Sequence, residues 1–298
     1  TIGTDDITTG LLYRKDRVSP VGSAKILTPQ NSISDENGPL FTDRNRPALT
    51  QRFTHKDTNR EFVISVNHLK SKGSSCGAGD DDALAGNCDV TRTRAAIALN
   101  TWLEAQYADV SKVIMGDMNA YAQENPITYL TSSGYTNTLE QVDGKKVYTY
   151  TFRGESGTLD YQLVSGTMKE ALTDATAWHI NADEMPAVDY NSEYKPDAWL
   201  NTLLYRASDH DPVVTNFNLT LLGDMDGDGD VDTSDFRLFI KAVLFKQPVD
   251  PELDLNNDGR VNNKDVRFFR DLCTRKGCKR EDRGRGRAKV SSLRSLFN

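Results

Sequence analysis

The chain has 298 residues, of which 37% are hydrophobic and 27% are charged, and its formal net charge is -7. This hydrophobic fraction is typical of globular domains. The sequence has no run of about 20 apolar residues, the length that a membrane-spanning helix needs, so insertion into a membrane is not expected. A chain of this length predicts about two domains.

The charge is distributed unevenly along the chain. Residues 274–298 hold nine basic and two acidic residues, whereas residues 1–273 hold 27 basic and 41 acidic residues. An acidic body argues against polyanion binding by charge alone and suits a protein that holds cations. The basic end, residues 281–298, is rich in Gly, Arg and Ser, and we expect it to be flexible.

Residues 1–220 predict strands mixed with a few helices. Apolar or alternating runs bounded by turn-forming residues predict strands at 7–14, 48–53, 62–68, 112–115, 159–164 and 212–219. Apolar residues recur with the helical period over 92–106, and the glycine-rich, acidic stretch 73–87 predicts a long loop. This order of elements favours an α/β or α+β sandwich.

The four cysteines form two close pairs, Cys76 with Cys88 and Cys273 with Cys278. Neither pair has the CxxC spacing of a zinc or thioredoxin motif. Two local disulfides are the simpler interpretation, and four free thiols the alternative. Disulfides indicate an oxidising compartment. The sequence starts at Thr1 without a charged leader and apolar segment, so we expect a secreted protein whose leader has been removed.

An internal repeat begins after Gly223, where DMDGDGDVDTSDF and DLNNDGRVNNKDV are 30 residues apart. Each matches a 12-residue calcium loop, which provides ligands from positions 1, 3, 5, 7, 9 and 12. In the first loop these are Asp224, Asp226, Asp228, Asp230, Asp232 and Asp235. In the second they are Asp254, Asn256, Asp258, Arg260 through its carbonyl, Asn262 and Asp265. We expect two bound Ca²⁺ ions.

These repeats resemble dockerin domains, in which calcium loops and helices alternate in tandem. The resemblance implies a small all-α domain over 223–280 and a cohesin-like protein partner, or intramolecular docking of the repeats. In dockerins the recognition residues occupy loop positions 10 and 11, here Thr233 and Ser234, then Asn263 and Lys264. Because the two pairs differ, two-fold symmetric partner binding is not expected.

Polar residues that suit acid–base and metal chemistry lie at the ends of several predicted strands. They lie in the motifs SVNHLKS, IMGDMNA, GTLDYQLVS and ASDHDPVV, with RNRPALTQRF and GLLYR as weaker support. In this order the motifs resemble the endonuclease/exonuclease/phosphatase superfamily, and most closely its secreted bacterial extracellular nucleases. The resemblance covers about residues 5–220 and implies a DNase I-like four-layer sandwich. We also expect the protein to be a monomer.

The resemblance also implies roles for the polar residues. His68 is expected to be a general acid, and Asp160 with His210 a carboxylate–histidine pair. Asp117 is expected to orient or deprotonate the attacking water, and Asn119 to donate a hydrogen bond to the scissile phosphate. Two further residues would complete the site: Asp209, as the ligand of a catalytic Mg²⁺ or Mn²⁺, and Arg46, as a contact to a backbone phosphate. His55 and His179 match no motif and are interpreted as structural.

One feature departs from the family pattern. In the family, a strand with an Asn and a strand with a metal-ligand Glu precede the GLLYR strand, which here occupies residues 10–14. About a third of the domain would then be missing. Either the chain is processed or truncated, or its metal binding is impaired. Asp5 is a candidate acidic partner for the first histidine.

The sequence therefore favours a secreted, metal-dependent nuclease that hydrolyses extracellular DNA. Two alternatives stay open. The same fold could act on another phosphoester, such as a lipid head group or an inositol phosphate. Alternatively, an inert nuclease-like domain could be tethered to a partner through the calcium repeats.

Overall fold

The computed structural model describes residues 2–3, 5–144, 146–185, 187, 196, 206–227, 230–274 and 278. The chain divides into two compact units between Leu219 and Thr220. Among the described residues, no helix combines the length and apolar character that crossing a bilayer requires. The basic segment 281–298 and the loop residue Asp228 lie outside the described residues.

The first unit is a mixed α/β fold, as predicted. Its strands are β1 (Val18–Leu27), β2 (Ser34–Asp35), β3 (Gly38–Pro39), β4 (Arg46–His55), β5 (Glu61–His68), β6 (Ser111–Asp117), β7 (Thr136–Asn137), β8 (Tyr150–Phe152), β9 (Glu155–Gly157), β10 (Asp160–Val164), β11 (Leu172–Ala177) and β12 (Val213–Phe217). Its helices are α1 (Asp89–Tyr107), α2 (Asn125–Ser132), α3 (Thr138–Val142) and α4 (Thr167–Glu170).

Six of these strands form one sheet in the order β1-β4-β5-β6-β10-β7. Only β5 and β6 pair in parallel, and the other neighbours are antiparallel. A parallel pair needs a crossover connection, and α1 lies in the segment that joins β5 to β6. This crossover brings the ends of β5 and β6 to the same edge of the sheet, which places the candidate site.

Each face of the six-stranded sheet contributes to a separate apolar core. On one face, strand residues such as Val63, Ile114 and Leu163 pack in one cluster with Leu99 and Leu103 of α1. On the other face, the cluster of Val113, Val164 and Met168 packs against Phe217 and Leu219. Since Phe217 lies in the two-stranded sheet of β11 and β12, the described residues form a layer of helices, a large sheet and a small sheet.

The strand predicted at 7–14 is not a strand in the structure, and β1 was not predicted. The 7–14 segment makes side-chain contacts instead of a ladder, such as the hydrogen bond that Thr9 Oγ1 donates to the Pro47 carbonyl (2.9 Å). The strand β1 lies at an edge of the sheet, where Pro20 and a bulge near Gly22 are tolerated. Of its ten residues only Leu27 is buried, so it lacks the apolar alternation that predicts a strand.

The second unit has its own small core of Val231, Phe239, Leu253 and Phe269. The described residues of this unit form one α-helix, α5 (Thr233–Leu244), and two short 3₁₀ segments, Pro251–Leu253 and Phe269–Leu272. The Asp232 side chain caps α5 by accepting from the Ser234 amide, and the Asp235 carboxylate accepts from the Asp232 amide (2.8 Å). The second repeat is thus less helical in the described part of the chain than the first.

Candidate active site and calcium loops

Four of the predicted site residues lie side by side on adjacent strands. In the registers of the sheet, Arg46 on β4 is opposite His68 on β5, His68 is opposite Asp117 on β6, and Asp117 is opposite Asp160 on β10. Paired residues on neighbouring strands point to the same face of a sheet. The sheet therefore arranges a cation, an imidazole and two carboxylates in one row, which we call the catalytic row.

The turn after β6 depends on Gly116 and Asn119. Gly116 has φ +121°, and a Cβ added there would lie 2.0 Å from the Asn67 carbonyl oxygen, so only glycine fits. Asn119 adopts φ +48°, a conformation that asparagine tolerates better than most residues. Its amide Nδ2 donates to Asp117 Oδ2 (2.9 Å) and to the Leu69 carbonyl (3.1 Å). Asn119 therefore holds Asp117 in place.

Asp117 is a buried carboxyl, with 15% of its side chain exposed, and its Oδ2 lies 3.3 Å from His68 Nε2. Burial, reinforced by the charge of Asp160, raises the pKa of Asp117 to about 7. Burial, together with the cationic Arg46 and His210, lowers the pKa of His68 to about 4. With these pKa values, His68 is uncharged at neutral pH and Asp117 is partly protonated.

His210 joins the catalytic row from another segment. Its Nδ1 lies 2.7 Å from Asp160 Oδ2, and its ring packs on Tyr150 with centroids 4.6 Å apart. Burial disfavours the imidazolium, but the hydrogen bond and charge of Asp160 outweigh it and raise the pKa of His210 to about 9. The two histidines thus carry different charges at neutral pH, although their sequence motifs do not indicate which is protonated.

Thr149 is a buried residue that the sequence analysis missed. Its hydroxyl donates to Asp160 Oδ2 (2.7 Å) and accepts from the amides of Leu159 (3.1 Å) and Asp160 (3.2 Å). Its carbonyl accepts from the Asp211 amide (2.7 Å), next to His210. Thr149 therefore fixes both partners of the Asp160–His210 pair. No sequence signal separates it from the other residues of the run YTYTF.

Asp209 and Arg46 lie at the margin of the site. Asp209 is half-exposed, and its Oδ2 is 4.0 Å from His210 Nε2. Arg46, at 17% side-chain exposure, is 3.2 Å from Asp5 Oδ2 and donates through Nε to the Ile7 carbonyl (3.2 Å). The suggested pairing of Asp5 with the first histidine is therefore not seen, because Asp5 pairs with Arg46 instead.

The donor atoms of the site fit a divalent cation. Asp117, Asp160 and His210 each have a ligand atom within 4.8 Å of those of the other two. Hard carboxylate oxygens are the ligands that Mg²⁺ and Mn²⁺ prefer. With Asp209 beside this group, three carboxylates are available.

His179 forms a second histidine–carboxylate pair, with Nδ1 2.8 Å from Asp211 Oδ2 and its ring stacked on Tyr148 at 4.2 Å. The Asp211 side chain is fully buried and also accepts from the amides of Asn181 and Ala182, both at 2.9 Å. These contacts organise the loop beside His210 and agree with the interpretation of His179 as structural. His55 contacts Thr58 (3.0 Å) at the far end of β4.

Both predicted disulfides are present, Cys76–Cys88 and Cys273–Cys278. The first closes the loop predicted over 73–87. Beneath that loop, the fully buried Arg92 donates to the carbonyls of Lys70 (3.1 Å) and Asn87 (2.7 Å). The Cys76–Cys88 loop is thus joined to the segment that directly follows His68.

The first calcium loop brings its carboxylates together. Ligand atoms of Asp224, Asp226 and Asp235 lie within 4.8 Å of one another, as do those of Asp230, Asp232 and Asp235. Asp235 Oδ1 also accepts from the Met225 amide (2.8 Å). This arrangement fits the oxygen-rich coordination that Ca²⁺ requires.

The second calcium loop has the same backbone pattern with fewer carboxylates. Asp254 accepts from the Asp258 amide (3.0 Å), and Asp265 from the amides of Asn256 (3.0 Å) and Asn262 (2.7 Å). The Lys264 ammonium lies 2.8 Å from Asp258 Oδ2. Lys264 therefore forms an ion pair with a carboxylate that is expected to bind calcium. The carbonyl of Arg260, the predicted ligand, accepts a hydrogen bond from the side-chain amide of Asn262 (2.9 Å).

Comparison with known proteins identifies the second unit. Residues 222–269 match the Dockerin type I domain. A segment of 61 residues is 41% identical to the long isoform of ulvan lyase from Glaciecola sp. (strain KUL10), and it covers 20% of this chain and 6% of the lyase. The same values hold for the ulvan lyase of Alteromonas sp. (strain LOR). The chain thus spans a small part of these relatives' length.

Several solved structures are similar to the chain. An endonuclease/exonuclease/phosphatase family protein from Bacteroides thetaiotaomicron has 18% identity and a TM-score of 0.46, covering 70% of this chain and 69% of that chain. The human nocturnin catalytic domain with bound sulfate has 22% identity and a TM-score of 0.38 over 53% and 51%. D. rerio TDP2 with a single-strand DNA product has 17% identity and a TM-score of 0.40, covering 69% of this chain and 70% of that chain. The chain thus carries a Dockerin type I domain, and its structural neighbours include members of the endonuclease/exonuclease/phosphatase family.

Proposed function

We propose that the chain is a secreted, divalent-metal-dependent phosphodiesterase that hydrolyses the backbone of extracellular DNA. The observation that carries this proposal is the catalytic row together with His210. It joins a carboxyl with a pKa of about 7 to a histidine with a pKa of about 9. A base and an acid whose environments separate their proton affinities are what general acid–base catalysis requires.

In the proposed mechanism, Asp117 accepts a proton from the attacking water. As the water oxygen bonds to phosphorus, the P–O bond to the leaving sugar oxygen breaks, and the protonated His210, held by Asp160, donates its proton to that leaving oxygen. This assignment moves the general acid from His68 to His210, because His68 is uncharged at neutral pH. His68 and Arg46 would instead bind the phosphate anion, whose negative charge would raise the pKa of the imidazole.

Two further roles follow from the contacts in the site. Because both of its amide contacts are internal, we assign Asn119 to positioning Asp117 rather than to binding the phosphate. Asp209, with Asp160, would hold the divalent cation, which leaves Asp117 to accept the proton. When bound, that cation would neutralise the charge that develops on the phosphate.

The second unit would bind two Ca²⁺ ions and attach the enzyme to a cohesin-like partner, which supports an extracellular location. The two disulfides support the same location, because such bonds persist in oxidising compartments. We propose that residues 1–220 form the phosphodiesterase domain, residues 223–280 the dockerin domain, and residues 281–298 a basic tail. We also propose that the protein is a monomer.

The test is cleavage of linear and circular DNA by the full chain in Mg²⁺ or Mn²⁺ with Ca²⁺. Removing one catalytic acid or base commonly costs about 100- to 10,000-fold in rate, so His210→Ala should lose at least 100-fold. His55→Ala is the matched control, because His55 lies at the opposite end of β4. If the His210→Ala variant still cleaved DNA in a metal-dependent way, the assignment of the site would be refuted. Cleavage of 4-nitrophenyl phosphate without cleavage of DNA would reassign the substrate.

A further inference from the structure

A row of aromatic side chains leads away from His210 along the β8–β9 hairpin. The ring of His210 packs on Tyr150, and Tyr150 is nearly parallel to Phe152, with an interplanar angle of 12° and centroids 6.3 Å apart. The Arg153 guanidinium lies over the Phe152 ring, 5.1 Å from its centroid. The outer end of this row is open, because Phe152 is 53% exposed.

The backbone at the tip of the hairpin is unusual for its sequence. Phe152 pairs with Glu155, so Arg153 and Gly154 form a two-residue turn, and their φ angles are +53° and +83°. Turns with two positive φ angles favour Asn-Gly or Asp-Gly, because other side chains are strained there. Strained residues of this kind cluster at binding sites. The position of Arg153 thus keeps a guanidinium on the exposed aromatic face at a conformational cost.

We propose that the β8–β9 hairpin is a stacking platform for an unpaired nucleobase of the DNA strand beside the phosphate held at His210. This proposal rests on the proposed function. Bases stack on exposed aromatic rings regardless of sequence, and arginine adds a cation–π contribution. Among the described residues Arg153 forms no salt bridge, so its charge is available to a phosphate. A base within a duplex is covered by its neighbours, so the platform favours single-stranded DNA.

Binding can be measured without turnover by using the full chain in the Asp117→Asn background. The probe is a single-stranded 12-mer with 2-aminopurine, whose fluorescence is quenched when it stacks. Losing one stacked base should weaken binding by about 5- to 150-fold, so Phe152→Ala should lose both affinity and quenching. Phe152→Trp should retain them. Phe245→Ala is the matched control, because Phe245 is an exposed phenylalanine (70%) in the second unit.

A second variant tests the strained arginine. Arg153→Asn places a residue that tolerates positive φ at the turn, so it should raise the melting temperature and still weaken binding of the 12-mer. Unchanged binding by Phe152→Ala would overturn the platform. Equal losses for duplex and single-stranded DNA, or a matching loss for dextran sulfate, would also overturn it. If Phe152-dependent quenching persists while the parent chain cleaves no DNA, the platform stands and the proposed function fails.

Discussion

The buried carboxyl of Asp117 should lower the stability of the protein at neutral and alkaline pH. Its pKa rises from an ordinary 3.8 to about 7 in the folded chain. Because the folded-state pKa is higher than the unfolded-state value, the protonated carboxyl stabilises the fold below pH 4. That contribution is lost as the pH rises through about 7. Replacement by an uncharged residue of the same shape should therefore stabilise the chain above pH 7.

The size of the effect can be worked out from the pKa. Each pKa unit corresponds to about 1.4 kcal/mol, so ionising Asp117 in the fold costs at most about 4 kcal/mol. Asp117→Asn avoids this cost but loses the attraction to the charged His210 and part of the hydrogen bonding with Asn119. We expect a net gain of about 2 kcal/mol at pH 8 and none at pH 5, together with loss of DNA cleavage.

The measurement is urea unfolding followed by tryptophan fluorescence at both pH values in chelator. All three tryptophans, Trp102, Trp178 and Trp199, belong to the first unit, so the fluorescence reports on that unit. Asp109→Asn is the control, because Asp109 is exposed on the surface. Equal urea midpoints for Asp117→Asn and the parent chain at pH 8 would refute the argument that burial destabilises the ionised carboxyl.

Two further predictions concern residues that hold carboxylates. Thr149→Val should lower kcat about 10- to 100-fold with little change in KM, which is the usual loss when a residue that orients a site carboxylate is removed. The reason is that Asp160 loses its fixed orientation. Thr149→Ser should restore most of the rate, and equal rates for the Val and Ser variants would argue against a positioning role. Calorimetry should show two calcium-binding steps, the tighter in the loop with more carboxylates, residues 224–235. Lys264→Ala should tighten the weaker step by freeing Asp258, whereas Lys264→Arg should not.

The sequence predicted the four strands that carry the catalytic row because those strands have clear apolar patterns. His68, Asp117 and Asp160 each stand at an end of a strand, and parallel pairing of β5 with β6 places the first two at the same edge. Thr149 could not be predicted in this way. It lies eleven residues before Asp160, and the two side chains meet only when the chain between them folds back. The edge strand β1 was missed because it buries too little apolar surface to impose a pattern.

The charge states of the two histidines also could not be predicted from the sequence. His68 and His210 both occur in motifs with aspartates nearby, so each could be the proton donor on chemical grounds. The difference arises from their surroundings in three dimensions: burial and Arg46 disfavour the charged form of His68, whereas the hydrogen bond and charge of Asp160 favour the charged form of His210. Long-range pairing therefore decides which histidine is protonated.

The residues of the candidate active site are attached to the fold in two ways: the catalytic row lies on adjacent strands of the six-stranded sheet, and His210 lies outside those strands. Residues hydrogen-bonded across four adjacent strands separate only when the sheet itself opens. His210 belongs instead to a segment attached through the contacts of Thr149, Asn181 and Asp211. Heating should therefore release His210 before the sheet melts, so activity would disappear at a lower temperature than secondary structure and return quickly on cooling.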